Sequence, residues 1–132
     1  MTTIDEVRFG RDAALPVGAV VPTLTGDWPT VTGAGNLTGA IRRRIATLPG
    51  EMVHRPAYGA GLLGYLERPS SVVTAARLTA SIVDNVARDS RVDSSEVSVR
   101  EDAANPERVY VNVSIVPLGD DQPLSASAEV YI

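Results

Sequence analysis

The sequence predicts an α+β fold: an N-terminal hairpin, then two main helices packed on a three-stranded antiparallel C-terminal sheet. Three observations carry this. Prolines and glycines interrupt residues 1–35, the middle repeats apolar residues with a helical period, and the final third alternates apolar and polar residues as strands do. At 132 residues the chain is sized for a single domain. Residues 1–35 form an extended arm and hairpin in this reading, and residues 36–132 form the helical and sheet core.

Within the arm, Pro16, Pro22 and Pro29 stop any long helix. "GAVVPTL" and "TGDWPTVTG" read as two short extended segments joined at Thr25-Gly26-Asp27, and an isolated hairpin of this kind needs packing from elsewhere. The first helix is expected over "NLTGAIRRRIATL", with Asn36 as its cap and Leu37, Ala40, Ile41, Ile45 and Leu48 on one face. Pro49-Gly50 ends it. A short helical turn follows in "GLLGYLERP". The second long helix is "SSVVTAARLTASIVDNVAR", capped by Ser70 or Ser71, with Val72, Ala75, Ala76, Thr79, Ile82, Val83 and Val86 as its apolar stripe.

The last third gives three strands. "SEVSVRED" places Val97 and Val99 on one face, "ERVYVNVSIVP" places Val109, Val111, Val113 and Ile115, and "PLSASAEVYI" places Leu124, Ala126, Ala128, Val130 and Ile132. Turns at Asn105-Pro106 and Gly119-Asp120-Asp121 make consecutive antiparallel pairing the simplest topology. The last of these strands, if its outer edge is open, is either an aggregation hazard or a pairing site for another chain.

Composition excludes several functions. The chain has no cysteine and one histidine, His54, so a zinc site would need three carboxylates, an unusual set. No metal or cofactor is expected. The net charge is -4, and all basic residues are arginine, which suits carboxylate pairing at protein interfaces better than nucleic-acid binding. Arg42, Arg43 and Arg44 form the only basic run, and consecutive helical positions fan out instead of making one stripe. "GAGLLG" and "TGAGN" lack the spacing of a dinucleotide loop, and without lysine there is no P-loop. No apolar run approaches the ~20 residues of a membrane span. The opening "MTTIDEVRFG" carries acids where a secretory signal carries bases, so the cytoplasm is the expected starting compartment.

The stretch "LPGEMVHRPAYGAGL" could hold chemistry. Glu51 and Glu67 bracket it, and paired carboxylates could cleave peptidoglycan if one were desolvated. Nothing in the sequence desolvates either, and no nucleophile elbow or Ser/His/Asp order accompanies His54. A shaped loop that joins two helices is the simpler account.

The order of elements, however, is specific. "FGRDAAL", a hairpin, "TGAGNLTGAIRRRIATLPGEMVHRPAYGAGLLGYL", a capped second helix and an arginine at the start of the next strand resemble the phage baseplate wedge W family. That family spans the small, once lysozyme-like wedge subunit of T-even phages and the sheath-base subunit of type VI secretion. Its pattern reads G-x-D-x-x-L, N-L-x-x-A-I and L-x-T-x-x-G-E-x-x-x-x-P-x-Y-G-x-G-L. Gly10, Asp12 and Leu15 match the first part, and Asn36, Leu37, Ala40 and Ile41 the second. Gly50, Glu51, Pro56, Tyr58, Gly59, Gly61 and Leu62 match the third. Many relatives carry Glu-Pro-Arg after the second helix, where this chain has Asp89-Ser90-Arg91.

The resemblance implies a non-enzymatic baseplate subunit of a contractile phage tail or a phage-tail-like injection particle, assembled in the cytoplasm. Its partners would be larger wedge proteins and the sheath protein, with tube or hub proteins as further candidates. Arg91, with Asp89, would dock it on its wedge partners; the plainer reading is a surface pair of Arg91 with Asp89 or Asp93. Arg55 and Tyr58 would be presented by the loop for burial or docking. Val130 and Ile132 would lie on the strand that meets the sheath, through backbone pairing at an open sheet edge. The alternatives are a peptidoglycan-cleaving enzyme using Glu51 and a general protein-interaction module.

Overall fold

The computed structural model describes residues 4–14, 22–68, 71–105, 108–126 and 128–131. Its centre is a strand, β4 (Arg108–Pro117), on which Val109, Val111, Val113 and Ile115 are buried while Tyr110 and Asn112 face solvent. This is the period-2 pattern acting as expected: one face packs on the core, the other on water. Along one side runs β3 (Val92–Glu101), antiparallel, with Val97 opposite Val113 and Val99 opposite Val111.

Along the other side run β5 (Leu124–Ser125) and β6 (Ala128–Tyr131), also antiparallel to β4. They share one register, since Ser125 pairs with Ser114, Ala128 with Val111, and the Ala126 N–H donates to the Val113 carbonyl between them at 2.7 Å. The strand expected over the C-terminal segment is therefore present in two pieces of one lane, making three lanes in consecutive order. Val130 sits in β6 opposite Val109, whereas Ile132 lies outside the described residues.

Two helices cover the apolar face: α2 (Gly33–Ala46) and α4 (Val72–Ala87), the numbering leaving α1 (Ile4–Phe9) before them and α3 (Leu62–Leu66) between. Leu37, Ile41 and Ile45 of α2 and Leu78, Ile82 and Val86 of α4 are buried with the β4 valines and with Ala60, Leu62 and Ala126. Of the two serines expected as caps, Ser71 caps α4, its Oγ accepting the Thr74 N–H at 3.1 Å.

Three expectations about the helices need correction. Helix α2 begins at Gly33, directly after the hairpin, and Thr32 occupies the cap position without a side-chain bond. Asn36 lies inside the helix, buried, and its Nδ2 donates to the Phe9 carbonyl at 2.7 Å, tying the N-terminal segment to the core. At the other end the backbone turns extended at Thr47, so Leu48 leaves the core stripe and is 41% exposed. The stripe of α4 is rotated from the expected one: Val72 and Val83 face solvent, and the polar Asn85 takes a buried place beside Ile82 and Val86. A hydropathy count rejects an asparagine from the core, but a hydrogen-bonded one can stay there.

The N-terminal part also differs. Residues 4–9, free of proline and glycine, form α1, and Phe9 enters the core. The hairpin pairs β1 (Arg11–Ala13) with β2 (Thr30–Thr32), with Asp12 opposite Val31. The expected turn is present, the Thr23 N–H bonding to the Asp27 carbonyl at 2.8 Å, but the strand predicted before it falls largely outside the described residues. Among the described residues no helix is long and apolar enough to cross a membrane.

Candidate functional site

The loop from Leu48 to Gly61 is folded back onto the C-terminal ends of α2 and α4 by backbone bonds. The Ala60 N–H donates to the Arg44 carbonyl and the Gly61 N–H to the Thr47 carbonyl, each at 3.0 Å. These satisfy carbonyls that the end of α2 leaves without helical partners. Gly59 lies so close to α2 that a Cβ there would stand 2.2 Å from the Thr47 carbonyl oxygen, and its φ is +109°. Only glycine fits such a position, which gives the Tyr-Gly pair of the motif a physical reason.

Asn85 of α4 locks the loop from the other side. Its Oδ1 accepts the Gly59 N–H at 3.0 Å, its Nδ2 donates to the Ser81 carbonyl at 3.2 Å, and its own carbonyl accepts from Arg44 Nη1 at 3.3 Å. Ser81 Oγ adds a bond to the Ala60 carbonyl at 3.0 Å. Glu51 serves the loop too: its carboxylate accepts the Leu48 N–H at 3.0 Å, closing the turn. Glu51, His54 and Glu67 are all exposed, and among the described residues no group of three or more His, Cys, Asp or Glu could hold a metal ion.

Tyr58 is half-buried, and the Arg44 guanidinium lies over its ring, 4.3 Å from the centroid. Arg55 is exposed. Together with Pro56, Ala57 and Arg88, these residues line an open basin of about 270 Å³. Arg88, the C-cap of α4, pairs with Asp84 at 2.9 Å. Thus Arg55 and Tyr58, singled out by sequence, are brought together, and Arg44, Arg88 and Asn85 join them. Nothing in the sequence separates Arg44 from its neighbours in the basic run, whereas Asn85 carries a readable signal: a polar residue between Ile82 and Val86.

Beyond Arg88 the chain turns from α4 into β3 around Asp89 and Arg91. Asp89 is buried, and Arg91 grips both its oxygens, Nε to Oδ1 at 2.9 Å and Nη2 to Oδ2 at 2.8 Å. The Arg91 backbone N–H also donates to Oδ1 at 3.0 Å, and Nη1 reaches the Phe9 carbonyl at 3.3 Å. The plainer expectation of a surface pair is corrected: this is a partly buried clasp joining α4, β3 and the end of α1. The hydrogen bonds from Arg91, first from its side chain and then from its backbone, hold the Asp89 carboxyl below its ordinary value against the opposing effect of burial, and the charge of Arg44 adds to them. The Arg91 guanidinium is raised in turn, chiefly by its bond to Asp89.

The fold is shared with two solved structures. A Geobacter sulfurreducens crystal structure, provisionally described as a tail lysozyme, superposes with a TM-score of 0.63 at 15% identity, over 87% of this chain and 96% of that one. A protein in the cryo-EM structure of the anti-feeding prophage baseplate superposes with a TM-score of 0.55 at 14% identity, over 92% of this chain and 85% of that one. No curated protein matches the sequence. The profile of the family "Baseplate wedge protein gp25" matches residues 33–121, from the first residue of α2 to the turn after β4, taking in the loop and the Asp89–Arg91 clasp. The chain belongs to the baseplate wedge protein gp25 family, and is a structural component of the baseplate of a phage or phage-like contractile particle.

Proposed function

We propose that this chain is the small wedge subunit that links larger wedge proteins to the first sheath ring, and that it receives the sheath by strand addition at the outer edge of β5 and β6. One observation carries this reading: the contrast between the two edges of the C-terminal sheet. Strand β3 is blunted by a register shift between Val92 and Ser94 and by Asp93, Glu96, Arg100 and Glu101, devices that discourage pairing. The lane from Leu124 to Tyr131 has a single charged residue, Glu129, keeps one register, and has no strand on its outer side among the described residues. An incoming strand would meet the outward-facing backbone of β6 there.

The ladder tells which groups those are. Because the Ala126 N–H points to β4, alternation turns the N–H of Glu129 outward and that of Val130 inward. Glu129→Pro should therefore remove an outward donor while sparing the bonds to β4. Sheath should fail to assemble on baseplates that contain the folded Glu129→Pro protein; sheaths of normal length on such baseplates would overturn the reading. Val130→Pro, which breaks the inner ladder, should instead cost the fold itself. Deleting Leu124 to Ile132 is a poorer test, because Ala126 is part of the core.

In this reading the chain is not an enzyme, and its docking groups on the wedge side are Arg55, Tyr58 and the Asp89–Arg91 clasp. The support is the loop geometry: Glu51 is exposed, and its carboxylate is spent on holding the Leu48 N–H.

A further inference from the structure

The basin at the ends of α2 and α4 collects Arg44, Arg55 and Arg88 in a chain whose net charge is -4. Two of these arginines have places in the fold. Arg44 and Arg88 sit at helix C-terminal ends, where cations oppose the helix dipole, and each makes a hydrogen bond within the chain. Arg55 is different: it comes from the loop, is exposed, and its guanidinium makes no hydrogen bond or ion pair among the described residues. Among the described residues no acidic side chain lines the basin.

Size and chemistry narrow the occupant. A volume of about 270 Å³, open to solvent, falls below the roughly 300 Å³ at which small-molecule pockets begin, and suits one or two side chains presented by a macromolecule. Guanidinium groups bind carboxylates in paired, charge-assisted hydrogen bonds, and the apolar stretch Pro56-Ala57 with the Tyr58 ring can cover an aliphatic stem. We propose that the basin reads an acidic side chain, Asp or Glu, on a segment of a larger wedge protein, with Arg55 as the principal donor and Arg44, held flat by Tyr58, as the second. This rests on the wedge reading above and adds the chemistry of the partner.

The test is binding of the purified chain to the large wedge proteins of its own particle, measured at low and high salt. Arg55→Glu should weaken binding about tenfold or more and flatten the salt dependence, since it reverses the charge that the acid meets. Arg55→Lys should retain part of the affinity, and Arg77→Glu, an exposed arginine of α4 outside the basin, should bind as wild type. Thermal unfolding of each variant separates loss of binding from loss of fold. An Asp or Glu to Arg change in the wedge protein that restores binding to Arg55→Glu would identify the acid and support the proposal directly. Equal binding by wild type and Arg55→Glu would overturn the basin and leave the wedge reading standing. A wild-type chain that binds no wedge protein overturns both, as would Arg55-dependent binding to a single-stranded oligonucleotide alone.

Discussion

Arg91 closes both oxygens of the buried Asp89 carboxylate, at 2.9 and 2.8 Å, and spends its remaining Nη1 on the Phe9 carbonyl at 3.3 Å. A residue that family resemblance marks for docking is thus already at work inside the subunit. Arg91→Ala would leave a buried carboxylate with only its backbone donor, and should lower stability by about 2–4 kcal/mol in chemical denaturation. Its effect on baseplate incorporation has to be read against that loss.

The same clasp sets a pH dependence. Folding lowers the Asp89 pKa below its ordinary value of 3.8, so between the two values the unfolded chain holds more protons and stability rises with pH. The contribution is complete above the unfolded value and fades as pH falls through the folded one. Urea midpoints of wild type and Arg91→Ala should therefore differ most near neutral pH and converge below about pH 4.

Asn85 and Gly59 should behave as one unit. Asn85→Ala strands the Gly59 N–H and should cost about 1–3 kcal/mol. Gly59→Ala adds backbone strain and a clash with the Thr47 carbonyl and should cost at least as much. Limited proteolysis should cut within residues 48–61 sooner in both variants, and the double variant should cost less than the two single losses combined.

The face of α4 is tested by two neighbours. Ile82→Ala removes a side chain with no exposure and should cost about 2–4 kcal/mol, whereas Val83→Ala, at 37% exposure, should stay within about 0.5 kcal/mol. Equal effects would put the helix the wrong way round.

Glu51 should prove structural. Purified protein should not clear a peptidoglycan suspension, and Glu51→Gln, whose amide oxygen can still accept the Leu48 N–H, should match wild type in assembly and in thermal midpoint. Glu51→Ala should lose about 0.5–1 kcal/mol, as expected for a lost turn-closing bond. Clearing that vanishes in Glu51→Gln would return the enzyme alternative.

The sequence by itself determined the β-lane order, the inward set Val109, Val111, Val113 and Ile115, the core positions Leu37, Ile41 and Ile45 of α2, and a serine cap at Ser70 or Ser71 for α4. All of these follow from local periodicity and turn chemistry, which a one-dimensional reading holds in full. It also carried the family, through glycines and a tyrosine at fixed spacing whose reason is now visible in the 2.2 Å approach at Gly59. Tertiary structure decided what depends on a distant partner. Asn36 leaves the cap for the Phe9 carbonyl, Asn85 enters the core to hold a loop, and Arg91 turns inward to Asp89 and Phe9. Each is a polar group whose position is set by a hydrogen bond across the fold, and hydropathy along the chain has no access to such a bond. The basin of Arg44, Arg55 and Arg88 exists for the same reason, since residues far apart in sequence share a surface only when the loop folds back on the ends of two helices.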